Sequence, residues 1–288
     1  VHAVAAGAGI AALKFTVFAV TDSVAVLSDA LESLINIAAA VAMLYAIRVS
    51  NRPADADHPY GHGKAEFMAV ALEGWLILIA GVFIAVEAAG RLVRGDAPTN
   101  LGFGIGGLAV VGALDLMLAV YVSRAGKRYD NPPLAADGKH LFTDVLSTAG
   151  VIVGLALVRM TGQPWLDPVA AIVVAALIFF TSWRLLWQSV QGLMDRSDPR
   201  DQAAIHTLLD REVAAGTIHG YHKVRHRHQG RFHWVDMHLQ VDPKMTVAEA
   251  HALASRIEGR IESELGPANA TAHIEPQTAD RPAAGGPA

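Results

Sequence analysis

Six apolar runs, at residues 2–21, 23–47, 67–93, 101–123, 138–160 and 165–190, dominate the first part of the chain. Each approaches the ~20 residues that a helix needs to cross the hydrocarbon core of a bilayer. Lipid offers no hydrogen bonds to an open backbone, so runs of this kind are confined to helical spans packed together. The 52% hydrophobic content and the mean hydropathy of +0.34 exceed those of an ordinary soluble domain and fit a multi-span membrane protein. The first run leads directly into further spans, so no cleavable signal peptide is expected. Val1 already lies in an apolar run, and part of the N-terminus is expected to be missing.

Six spans return the chain to its starting side. Arg48, Arg52 and Lys64 fall between the second and third spans, and Arg124, Lys127, Arg128 and Lys139 between the fourth and fifth. The opposite connections hold only Arg91, Arg94 and Arg159. The bias of Lys and Arg towards cytoplasmic loops therefore places both termini in the cytoplasm, and the expected location is the cell inner (cytoplasmic) membrane, with multiple passes.

After Asp195-Arg196-Ser197-Asp198-Pro199 the composition becomes that of a soluble domain. Residues 201–215 read as a helix, and 218–228 and 231–242 as strands around a turn at Gln229-Gly230. An amphipathic helix is expected at 247–265 and a last strand at 270–275. The order αββαβ predicts a small α+β sandwich with a mixed sheet. Period-2 alternation places His222, His226 and His228 on one face of the first strand. On the second strand it puts His233, Val235, Met237, Leu239 and Val241 on one face, and Trp234, Asp236, His238 and Gln240 on the other. The expected domains are thus 1–195 in the membrane, 196–276 outside it, and a disordered Pro-, Ala- and Gly-rich tail at 277–288.

Polar residues inside the spans carry the functional signal, because ionisable groups at that depth normally face a partner or a pathway. Glu32 and Asn36 are four apart and share one helix face, with Asp29 a turn earlier. His140 and Asp144 repeat that spacing on the fifth span. Two helices with two ligand-type side chains each can close a tetrahedral metal site. The alternative is two packing pairs that satisfy each other. Asp29 is open to direct ligation, to support of a ligand, or to helix-end hydrogen bonding. Lys14, Asp22 and Asp115 are expected nearer the membrane faces, in structural roles. The absence of cysteine excludes disulfides and thiolate sites and disfavours soft ions. A net charge of −4 speaks against a nucleic-acid partner.

Thirteen histidines are many for this length. The loop from Asp55 to Glu66 offers Asp55, His58 and His62 to a divalent ion, or is a solvated connector. In the soluble part, His222, His226, His228, His233, His238, His251 and His273 with Glu275 gather around one predicted sheet, and some are expected to bind metal. His206 and His219 read as surface residues.

Together these features resemble the cation diffusion facilitator family. They are the six spans, the polar pair on the second, His140-x-x-x-Asp144 on the fifth, Gly61-His62-Gly63-Lys64-Ala65-Glu66 after the second and Asp195-Arg196 after the sixth. The resemblance implies a homodimeric metal/proton antiporter with a cytoplasmic ferredoxin-like domain, exporting a divalent transition metal such as Zn²⁺, Fe²⁺, Mn²⁺, Co²⁺ or Cd²⁺. It implies a transport site at Glu32, Asn36, His140 and Asp144 and a loop site at Asp55, His58 and His62. Further implied are cytoplasmic sites at His222, His238, His251, His273 and Glu275, and an interprotomer charge pair of Lys64 with Asp195. Relatives commonly carry Asp-x-x-x-Asp or His-x-x-x-Asp on the second span, where this chain has Glu32 and Asn36. An amide oxygen is a neutral, weaker donor, and one nitrogen among mostly oxygen donors suits Mn²⁺, Fe²⁺ or Co²⁺ as well as Zn²⁺.

The expected mechanism is alternating access, with protons competing for His140 and the carboxylates on the far side. A membrane metalloenzyme is disfavoured by the lack of His-Glu-x-x-His or Gly-x-Ser-x-Gly. A membrane-anchored metal sensor that signals without transport is the remaining alternative.

Overall fold

The structure, a computed structural model, describes residues 2–128 and 132–277; the side chains of 2–5, 126–127 and 132–140 lie outside the described set. The tail expected to be disordered therefore lies, from residue 278, outside the described residues. The elements run α1 (His2–Thr21), α2 (Val24–Ser50), α3 (Ala65–Arg94), α4 (Leu101–Arg128), α5 (Pro132–Thr161), α6 (Leu166–Leu193), α7 (Pro199–Ala214), β1 (Gly220–Gln229), β2 (Phe232–Val241), α8 (Val247–Leu265) and β3 (Ala268–Pro276). They form two compact units. One comprises Val1–Tyr45 and Ala69–Trp187, the other Ala46–Met68 and Gln188–Ala288.

The first unit is a helical bundle whose outer surface is apolar. Among the described residues, α2 to α6 are long and apolar enough to cross a membrane, with mean hydropathy between 1.8 and 2.3, and α1 adds a shorter apolar stretch, Ala6–Thr21. Large side chains such as Trp75, Ile79, Val86, Leu177, Phe180 and Trp183 are exposed, which suits a protein whose solvent is lipid. The inside is filled by Val24, Val26, Ile84, Leu108, Val151, Leu155 and Ala171. Helices come close at small residues, as is usual where lipid gives no hydrophobic push between helices. A Cβ at Gly107 would meet Val17 at 2.7 Å, and one at Gly74 would meet Leu186 at 2.9 Å. Helix α2 is capped from outside itself. The Asp167 carboxylate accepts from the Val24 N–H at 3.0 Å and from Ser23 Oγ at 2.5 Å, while Ser23 Oγ accepts from the Val26 N–H at 3.2 Å.

The second unit contains the αββαβ domain. Asp198 caps α7, with Pro199 at its first position, and Thr246 and Glu249 form a reciprocal capping box on α8. The sheet order is β1-β2-β3, with β1/β2 antiparallel and β2/β3 parallel. Ile205, Leu208 and Leu209 of α7, and Leu253, Ile257 and Ile261 of α8, pack with Val235, Met237 and Leu239 of β2 into one core. Both helices therefore cover the same face of the sheet, in a ferredoxin-like arrangement.

Strand β1 departs from strict alternation. His222 pairs with His238, but the next pair on that face is Arg225 with Asp236, so Lys223 and Val224 bulge. Lys223 adopts a φ of 51°, and an inserted residue of this kind shifts every side chain beyond it to the opposite face. The single face expected for His222, His226 and His228 is thus corrected. His222 stands opposite His238 on the face away from the helices. His226 and His228 stand opposite Val235 and His233 on the helix-covered face.

Candidate metal sites

Within the helical unit, α2 and α5 meet through their polar faces. Asn36 Nδ2 donates to Asp144 Oδ2 at 3.0 Å, and Asp144 is buried. Glu32 is half-buried one turn before Asn36 on α2. The backbone of His140 continues α5 one turn before Asp144, and its side chain lies outside the described residues. The contact joins a carboxylate to an amide that can turn over and present its oxygen. Both are ligand types for a hard or borderline dication.

Asp29, two turns before Asn36 on α2, meets α5 through Thr148 and belongs to a polar cluster drawn from four helices. Lys14 Nζ of α1 lies 3.0 Å from Asp29 Oδ1 and 3.2 Å from Asp115 Oδ2 of α4. Thr148 of α5 accepts from Lys14 at 3.2 Å and donates to Asp29 Oδ1 at 2.9 Å. All four residues are buried. This corrects the expectation that Lys14 and Asp115 lie towards the membrane faces: a buried cation is retained here because two carboxylates and a hydroxyl surround it. Asp22 does take a peripheral role, pairing with Arg91 at 2.7 Å.

In the second unit, the α2–α3 loop folds on Asp55. Its Oδ1 accepts from the N–H groups of Asp57 and His58 at 3.1 and 2.7 Å. The His58 N–H, being aimed at the charged form, holds the Asp55 carboxyl below the usual carboxylate range. His58 Nδ1 lies 3.2 Å from Asp55 Oδ1 and His62 Nε2 3.3 Å from Oδ2. Ligand atoms of the three residues are close enough for one ion. His58 and His62 line a cleft of about 480 Å³ that also includes Tyr60, Lys64 and Arg227. Lys64 Nζ pairs with Asp195 Oδ1 at 3.0 Å and Arg227 with Asp195 Oδ2 at 3.2 Å, so within one chain Asp195 receives two cations. Gly63 is required here, since a Cβ would stand 2.5 Å from the Gln229 carbonyl oxygen.

On the open face of the sheet, three strands contribute to one cluster. His238 Nδ1 lies 2.7 Å from Glu275 Oε1 and His222 Nε2 lies 3.0 Å from Glu275 Oε2. Pairing His222 with His238, and His238 with His273, creates this proximity. His273 is exposed, with its ring 4.7 Å from that of His238. His251 is exposed on α8, which covers the opposite face of the sheet, and joins none of these groups within one chain.

The helix-covered face holds a further group that the strand reading did not assemble. Asp201, from the first turn of α7, lies near His226 and His233 at the hairpin end. Burial pushes the His226 imidazole below the ordinary histidine range.

Two comparisons bear on what these sites belong to. Residues 1–194 match the cation efflux transmembrane domain and residues 198–277 the cation efflux protein cytoplasmic domain. The uncharacterized transporter sll1263 of Synechocystis is 35% identical over 264 residues, covering 92% of this chain and 85% of that protein. The uncharacterized transporter YdbO of Bacillus subtilis is 28% identical over 270 residues, covering 93% and 91%. The cation-efflux pump FieF of Yersinia pestis is 27% identical over 256 residues, covering 89% and 84%. With both of its parts matched, the chain belongs to the cation efflux family of multi-pass metal transporters, the cation diffusion facilitators.

Proposed function

We propose that the chain exports a divalent transition-metal cation from the cytoplasm in exchange for protons, by alternating access, as a homodimer in the inner membrane with both termini cytoplasmic. The ion is held by Glu32, Asn36, His140 and Asp144. The observation that carries this reading is the contact of Asn36 with Asp144, which joins the polar faces of α2 and α5 inside an apolar bundle. A dication arriving from the cytoplasm meets two carboxylates, an imidazole and an amide, so its charge is balanced. Rocking of the helices opens the site to the far side, where protons compete for His140 and the carboxylates and release the ion. Because the ligands must be deprotonated to bind, exchange of metal for protons follows from the donor set. The cytoplasmic domain, with His222, His238, His273 and Glu275 on its open face, binds metal and tightens the dimer when the ion is abundant, and His251 is assigned to the same function. The loop group Asp55, His58 and His62 is a further cytoplasmic ion site.

The test is metal flux into sealed proteoliposomes, with a panel of divalent ions and an internal pH indicator. Metal uptake accompanied by proton release is expected. Metal binding without flux would instead identify a sensor.

Asn36 makes the choice of ion testable. Mn²⁺, Fe²⁺ and Co²⁺ accept oxygen-rich shells, so the native protein should move them within roughly tenfold of the Zn²⁺ rate. Asn36→Asp adds a full charge beside Asp144, so every divalent ion should bind more tightly and the preference should move towards Zn²⁺. A competition flux assay on both proteins at one pH measures this. Strict Zn²⁺ selectivity in the native protein, unchanged by the substitution, would remove Asn36 from the account of selectivity.

A further inference from the structure

We propose that Asp201, His226 and His233 form an additional divalent-metal site that fastens the start of α7 to the end of the β1–β2 hairpin. The three ligand atoms form a compact triangle. His226 Nε2 lies 3.1 Å from His233 Nδ1 and 3.7 Å from Asp201 Oδ2, and His233 Nδ1 lies 3.5 Å from Asp201 Oδ2. A point equidistant from all three is about 2.0 Å from each, which matches the ~2.0–2.2 Å of zinc bonds to His nitrogen and carboxylate oxygen. Three protein donors and one water then make a four-coordinate shell.

The support around the triangle suits a ligand role. The His226 side chain is 0% exposed, and its second nitrogen, Nδ1, lies 3.2 Å from Ser197 Oγ. A hydrogen bond there fixes the ring and leaves Nε2 free to donate its lone pair to an ion, the usual arrangement behind a metal-bound histidine. The main chain holds His233 as well, its N–H donating to the Pro267 carbonyl at 2.9 Å. Two imidazoles and a carboxylate select Zn²⁺ or Co²⁺ over Ca²⁺ and Mg²⁺, which take oxygen shells.

The β1 bulge separates this site from the cluster of His222, His238 and Glu275. It turns His226 to the helix-covered face while His222 remains on the open one. The domain would therefore carry one ion site on each face of a single sheet. The site joins Asp201 of the segment entering the domain to the tip of the hairpin, so an ion there would order that junction. It does not depend on the transport reading.

The experiment uses the full chain in detergent, stripped with chelator and then equilibrated with Co²⁺ alone. The background is Asp144→Ala, His58→Ala and Glu275→Gln, which removes one ligand from each of the other three groups. One Co²⁺ per chain should remain, with the intense d–d absorption of a four-coordinate ion. Adding Asp201→Asn and His233→Gln should remove both the ion and the absorption. Asp201→Asn alone keeps the side-chain shape and should weaken Co²⁺ binding at least about tenfold, with the metal-free melting temperature unchanged. A background protein that binds no Co²⁺, or an absorption that survives Asp201→Asn with His233→Gln, would overturn the proposal. Counting ions needs no flux, so failure of either reading is recognisable without the other.

Discussion

Asp144→Ala should reduce metal flux into proteoliposomes by at least about a hundred-fold while leaving a folded protein, since the loss of a ligand must exceed the 10–100-fold typical of losing a group that merely supports one. Asp144 is buried and held by Asn36 at 3.0 Å. It supplies one of only two formal negative charges in the proposed ligand set. An ion that must leave water cannot be held at that depth by one carboxylate, an imidazole and an amide without a large electrostatic deficit. The cost to folding is far smaller. The substitution removes a charged acceptor and strands one half-buried amide, about 1.5–3 kcal/mol for a hydrogen bond of this kind. Flux and stability should therefore separate, with transport at the liposome background and the melting temperature down by only a few degrees. Asp144→Asn, which retains the shape and loses the charge, should transport as poorly as Asp144→Ala. Undiminished flux from either variant would show that Asp144 is not a transport ligand.

Lys14→Met should strongly destabilise the helical unit. Lys14 is 1% exposed and is the cation between Asp29 and Asp115. Methionine fills a similar volume, so cavity formation is not the main cost. What remains is two buried carboxylates with no cation, a situation that typically costs 3–5 kcal/mol. For a protein of this size that corresponds to a fall in melting temperature of roughly 6–20 °C. Removing one of the stranded charges as well should recover part of it, so Lys14→Met with Asp29→Asn should melt above Lys14→Met alone. Thermal denaturation in one detergent across the three proteins measures both effects. If Lys14→Met melted within a degree or two of the parent, the cluster would have no role in holding the helices together. The same pairing bears on Asp29. A carboxylate already engaged by Lys14 and Thr148 is better suited to positioning α2 than to gripping an ion.

Some of this protein follows from local periodicity. Six runs of spanning length, the order αββαβ, and the four-residue spacings of Glu32 with Asn36 and His140 with Asp144 all follow from the chain alone. Helix geometry guarantees that residues four apart share a face, whatever surrounds them. The loop group of Asp55, His58 and His62 is legible from nearness in sequence alone, its members lying within eight residues of one another.

The rest depends on partners far away in sequence. Lys14, Asp29, Asp115 and Thr148 sit on four different helices, and no spacing rule predicts that they meet. Their pairing is decided by which helix faces pack and by the need to neutralise charge away from water. The histidines of β1 show the same limit in a strand. Alternation assigns His222, His226 and His228 to one face, but a bulge at Lys223 and Val224, defined only by register against β2, divides them. It sends His222 to His238 and Glu275, and His226 to His233 and Asp201. Asp201 itself looks like an ordinary acidic residue in the first turn of a helix. Only the packing of α7 on the sheet brings its carboxylate to two imidazoles, because period 2 is a local rule and register is a tertiary one.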